Sequence, residues 1–134
     1  MSKILTVIRE LKNLRSLKPA SLTDVLASEC ALGLDFAEEY KEYVLAYGVI
    51  TAKRVDITGV SEFPRLNVVE VTRKEREANP DLPDNMYVIE NTGLDGLIIT
   101  QDETGAVYAV TAGQAPKKIF DSLADYLTDL QKDM

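Results

Sequence analysis

At 134 residues, 46% hydrophobic and 28% charged, the chain has the size of one domain, residues 1–134, able to build a core without disulfides or metals. No apolar run approaches the roughly 20 residues of a membrane span, and the absence of histidine removes imidazole-based serine and cysteine mechanisms and the commonest transition-metal ligand. The net charge is −7, yet Lys3, Arg9, Lys12, Arg15 and Lys18 against Glu10 give residues 1–18 a charge of +4, which leaves −11 on the rest.

Residues 3–17 place Ile4, Leu5, Ile8, Leu11 and Leu14 at helical spacing, with the basic side chains mostly elsewhere on the wheel, and predict a first helix. Its basic side reads as a solvated face, with a membrane or nucleic-acid contact as the alternative. Charge within the opening apolar stretch, and no small-residue cleavage site, argue against a secretory signal and for the cytoplasm. Pro19 ends the first helix; Ser21 caps a second, whose apolar stripe is Leu22, Val25, Leu26 and Cys30, stopping at Gly33. The lone Cys30 is expected to be a buried small hydrophobe, not a reactive thiolate. Asp35 is expected to cap a third helix carrying Phe36, Tyr40, Tyr43, Val44 and Tyr47, ended by Gly48.

The β-branched run Val49–Gly59 predicts a strand, Ser61–Leu66 a loop containing Phe63-Pro64, and Val68–Ala78 a helix. The charges of Thr72–Glu77 read as a solvated helix face, with a partner surface as the alternative. Val88–Tyr108 holds three β-rich runs separated by Asn91-Thr-Gly-Leu-Asp-Gly96 and Asp102-Glu-Thr-Gly105, the signature of an antiparallel meander whose glycines supply positive φ. The stretch lacks the Gly-Lys-Ser/Thr ending of a phosphate loop. Lys117–Phe120 is expected as an edge segment, followed by a closing helix capped by Asp121 or Ser122 and anchored by Leu123, Tyr126, Leu127 and Leu130. Helices, then strands, then a helix, without βαβ alternation, give an α+β fold on an antiparallel or mixed sheet.

Four segments together carry a family likeness: Leu32–Gly48, Leu82–Gly96, Thr104–Tyr108 and Ile119–Leu127. In order and spacing they resemble the SUKH superfamily, which includes the fungal Smi/Knr cell-wall regulators and many bacterial immunity proteins. Two positions depart from the pattern: Asp35-Phe36 stands where many relatives have Leu-Pro, and Val110-Thr111 replaces a Trp-Asp-like pair after the Val-Tyr strand. The resemblance implies a SUKH-like domain; read residue by residue, Tyr40, Leu45 and Gly48 are expected to seat the third helix and Asn91, Gly93, Asp95, Gly96 and Gly105 to shape the sheet turns. The resemblance implies no cofactor and no catalysis, but a protein partner: a cognate polymorphic toxin, frequently a nuclease among similar proteins, neutralised by stoichiometric occlusion; the acidic body itself disfavours direct nucleic-acid binding. The acidic body fits, because surfaces that grip phosphates are basic.

Candidate toxin contacts are Asp56, Glu62, Asp95, Asp102 and Glu103 for charge and Phe63 and Tyr108 as aromatic anchors, all expected on exposed loops and strand faces. The plainer reading of each is hairpin-tip solubility for Asp102 and Glu103, a turn hydrogen bond for Asp95, and core packing for Phe63 and Tyr108. A noncatalytic regulatory or scaffolding role, by analogy with the fungal relatives, is the second functional reading. A small hydrolase working through paired carboxylates ranks third, since it requires two convergent acids with separated pKa values.

Overall fold

A computed structural model of the chain describes residues 3–52, 55–94 and 96–131. The elements run α1 Lys3–Arg9, β1 Arg15–Ser16, α2 Leu22–Leu32, α3 Glu38–Tyr47, β2 Ile50–Ala52, β3 Val55–Ile57, α4 Val68–Ala78, β4 Tyr87–Asn91, β5 Ile98–Gln101, β6 Val107–Val110, β7 Lys117–Phe120 and α5 Leu123–Gln131. A 3-10 turn at Pro64–Leu66 precedes α4. The fold is α+β with two antiparallel sheets, β1-β2-β3 and β4-β5-β6-β7. The meander, the edge strand β7 and the closing helix stand where the sequence places them, and Gly93, Gly96 and Gly105 have φ of 72°, 74° and 97°.

Thr58, just past β3, joins the sheets. Its N–H donates to Ile89 O at 2.9 Å and its hydroxyl to Val88 O at 2.7 Å. Over this junction lies the larger core, where Phe36, Tyr40, Tyr43 and Tyr87 stack at ring-centroid distances of 4.8–5.5 Å, within the favourable range for tilted and edge-to-face pairs. Leu82, Met86, Val88, Ile98 and Val110 form a smaller core, with Val71 of α4 packed against it.

Polar groups also hold the layers together. Ala37 N–H donates to the Tyr87 hydroxyl at 3.0 Å, which donates to Gln101 Oε1 at 2.8 Å; Gln101 Nε2 donates to Glu39 Oε1 at 2.6 Å. The Glu39 carboxylate in turn accepts the Leu123 and Ala124 amides, capping α5 from a distant part of the chain alongside the local cap, Ser122 Oγ to Asp125 N at 3.0 Å. In β4 the register passes from Val88↔Thr100 to Glu90↔Ile99, leaving Ile89 as an extra residue. Strict alternation would turn Glu90 toward the Val88 side. The bulge brings it round to the larger core, where the Tyr126 hydroxyl donates to its carboxylate.

Several expectations are corrected. The first helix stops at Arg9, and Asn13 adopts φ 58°, a left-handed conformation that Asn tolerates and that no helix continues through. Arg15 and Ser16 then pair with Thr51 and Ile50. The run Val49–Gly59 forms two paired strands, not one; residues 53 and 54 lie outside the described residues. The third helix begins after Ala37, so Asp35 is not its cap and Phe36 precedes it. Leu45, expected to seat that helix, is 38% exposed.

On α2 the inward face is Val25, Ser28, Glu29 and Leu32, while Leu22 and Leu26 are 58% and 53% exposed and Cys30 is exposed. At 100° per residue the buried face is turned by roughly a quarter-revolution from the apolar stripe. Hydrogen bonds make this rotation tolerable: Glu29 accepts the Phe36 amide at 2.8 Å and lies 3.7 Å from Lys41, and Ser28 Oγ bonds Asp24 O at 2.9 Å. Burying these polar groups unpaired would cost far more.

Candidate interaction surface

The segment Gly59–Glu70 is rich in local hydrogen-bonding groups, and it closes on itself. Ser61 Oγ accepts the Phe63 amide at 3.2 Å, Asn67 Nδ2 donates to Ser61 O at 2.7 Å, and Asn67 Oδ1 caps α4 through the Val69 and Glu70 amides at 2.9 and 3.3 Å. Gly59 N–H donates to Leu66 O at 2.9 Å, and Val68 N–H donates back to Gly59 O at 2.8 Å. Pro64 opens the 3-10 turn, and Phe63 just before it is left outside, 54% exposed.

Between this loop and α2 runs a groove of about 660 Å³, lined by the small apolar side chains of Ala20, Ala27, Ala31, Val60 and Val69 and by Phe63. Its charged lining is Asp24, Glu62 and Glu70 against Lys18. The walls are tied together, since Arg73 and Arg76 of α4 donate to Ala31 O at 3.5 Å and Leu32 O at 3.2 Å, satisfying carbonyls at the end of α2. Part of the Thr72–Glu77 charge cluster therefore fastens one helix to another.

Two further depressions flank this region. One, of about 890 Å³, carries mixed charge from Asp56, Glu70, Glu75 and Glu77 with Arg65, Arg73 and Lys74; there Asp56 lies 3.3 Å from Arg65. The other, about 270 Å³, is lined by Asp35, Asp84 and Glu103 beside Gly33.

The candidates read from the sequence are thus separated. Glu62 and Phe63 share the groove, Asp56 sits in the mixed depression, and Glu103 is exposed at the small acidic one. Phe63 points outward, against the core-packing reading. Asp102 is not an exposed tip: it is 6% exposed, and its carboxylate accepts Thr104 N and the Tyr108 hydroxyl, both at 3.0 Å. Tyr108 is half-buried beside the smaller core, its hydroxyl pKa raised first by that bond to Asp102 and then by burial. Asp95 lies outside the described residues. Asp24, Glu70 and Lys18 also line the groove and escape sequence reasoning, because they reach it from three separate segments of the chain.

Two carboxylates, buried Glu90 and half-buried Glu39, have pKa values above the ordinary range, both chiefly through desolvation. At Glu39 the Leu123 and Ala124 amides and Gln101 oppose the rise; at Glu90 the Tyr126 hydroxyl does. Neither lines any of the three depressions, and each is bonded within the fold. Among the described residues, no group of three or more His, Cys, Asp or Glu side chains is placed to hold a metal, and no helix is long and apolar enough to cross a membrane. What the geometry offers is a rigid aromatic and an acidic groove, a means of binding.

A family model described as SMI1-KNR4 cell-wall, of the SUKH group, matches residues 1–132. The crystal structure of a protein from Pseudomonas syringae pv. tomato is similar to this chain with a TM-score of 0.79, covering 100% of each chain at 14% identity, a likeness of fold. No curated protein matches the sequence.

Proposed function

We propose, because the chain belongs to the SUKH (SMI1-KNR4) family, that it is an immunity protein. It binds a cognate polymorphic toxin, a nuclease, in the cytoplasm and occludes the toxin's active surface one to one, without catalysing a reaction. The observation that carries this reading is the groove in which Asp24, Glu62 and Glu70 outnumber Lys18 next to an exposed Phe63. A nuclease grips phosphates with cations, and carboxylates facing those cations steer the encounter and exclude nucleic acid. Of the contacts expected from the sequence, Glu62 and Phe63 belong to this face. Asp56 and Glu103 are flanking positions, Asp102 and Tyr108 act by shaping the turn that presents Glu103, and Asp95 rests on the sequence argument.

The test is a pull-down from the native cell, with the purified toxin candidate encoded beside this protein added as prey, and calorimetry of any pair. A tight one-to-one complex is expected. Recovery of only wall-synthesis or signalling proteins would favour the second reading, a noncatalytic regulatory domain, which has the matched model's own description, cell-wall, in its favour.

A further inference from the structure

The groove between α2 and the Gly59–Glu70 loop has features that specify its occupant. Its α2 wall presents Ala27 and Ala31, whose short side chains leave space where larger residues would fill it, and the resulting volume of about 660 Å³ can take several aliphatic side chains. Phe63 at its edge is exposed yet carried on a loop closed by backbone and side-chain bonds, so little freedom remains to be lost when a partner covers it. Three carboxylates against one ammonium make the lining net acidic, which repels phosphate and attracts Lys and Arg.

We infer that this groove receives an amphipathic segment of a partner protein: an apolar ridge seated along Ala27, Ala31 and Val60, packed by Phe63, with Lys or Arg on its borders facing Asp24, Glu62 and Glu70. Mode and chemistry are those of a helix laid in a groove, read through spaced apolar anchors. This rests on the immunity reading for the identity of the partner but not for the chemistry of the site. Under that reading, the toxin's phosphate-gripping cations are the ones engaged, so inhibitor and nucleic acid compete for one surface.

Two probes separate the claims. In an amide chemical-shift titration, a helical Leu/Lys peptide is expected to move the signals of Ala27, Ala31, Val60 and Ser61, while a Leu/Glu peptide of equal length does not. Phe63→Ala is expected to weaken the Leu/Lys peptide by at least about tenfold, as truncation of an aromatic anchor does, with its urea midpoint unchanged because Phe63 is outside the core. Shifts scattered over other faces, equal binding of the Leu/Glu peptide, or undiminished binding by the variant would overturn the assignment. The neighbouring toxin supplies the second probe. If Phe63→Ala and Glu62→Lys both inhibit it as well as the parent does, the groove assignment fails while immunity stands. Should the groove take the peptide while the toxin goes unbound, immunity fails and the site stands.

Discussion

Tyr43 shows what a single buried hydroxyl does in this fold. It accepts the Ile50 amide at 3.0 Å and lies 2.9 Å from the carbonyl oxygens of Ile57 and Thr58, so one side chain of α3 ties β2 to the end of β3. Tyr43→Phe removes the partner of the Ile50 amide in a buried core, while Thr58 O keeps the Tyr40 hydroxyl, and urea denaturation is expected to read a loss of about 1–3 kcal/mol. A second residue-scale constraint is steric. A Cβ on Gly59 would stand 1.7 Å from Gly48 O, in backbone that cannot yield without moving the α3–β2 corner. Gly59→Ala is therefore predicted to destabilise by at least the upper end of the about 1–3 kcal/mol usual for overpacking. Gly113→Ala, strained at φ +81° but with nothing within 4 Å, should lose only about 1–2 kcal/mol. Large apolar residues such as Tyr40, Tyr43 and Leu127 are legible in the sequence as core, because hydropathy and spacing agree. Glu29, Asp102 and Glu90 are not, since their burial depends on partners 7, 6 and 36 residues away.

At the scale of elements, caps and turns carry their own signals. Ser21 and Gly33 bound α2, and Asn67 precedes α4, as the residue types suggest. Asn13 is the same kind of signal, but the apolar spacing running past it to Leu14 masks it. The rotation of α2 and the bulge in β4 have no local mark, being settled by what each face meets across the core. α5 is also held by long-range hydrogen bonds to the carboxylates of Glu39 and Glu90, and these make a pH prediction. Both carboxyls have folded pKa values above the ordinary 4.5, so the folded state binds their protons more tightly than the unfolded state. Their contribution to stability is full below that value and is lost as pH rises through the folded values. Asp125, held below its ordinary 3.8 by the hydrogen bond from Lys3, acts with the opposite sign and only at lower pH. Urea midpoints measured upward from pH 4.5 should fall less steeply in Glu90→Gln than in the parent; identical slopes would show that Glu90 is not a source of the dependence.

For the whole molecule, the charge count of the sequence is informative only once the fold distributes it. The +4 of residues 1–18 does not form one basic helix: Lys3 binds Asp125 at 2.8 Å, Arg15 stands on β1, and Lys18 lines the groove. The acidic remainder gathers in part around Phe63, where Glu62 and Phe63 were legible and Asp24 and Glu70 were not, because a groove between distant segments has no sequence period. The proposed neutralisation by occlusion predicts a particular stoichiometry, and the most direct test is to titrate the proposed cognate toxin, at a concentration far above the dissociation constant, with this protein while following cleavage of nucleic acid. The account predicts a linear fall in activity to zero at one molar equivalent. Undiminished activity at several equivalents, or complete loss at a small fraction of one, would contradict it.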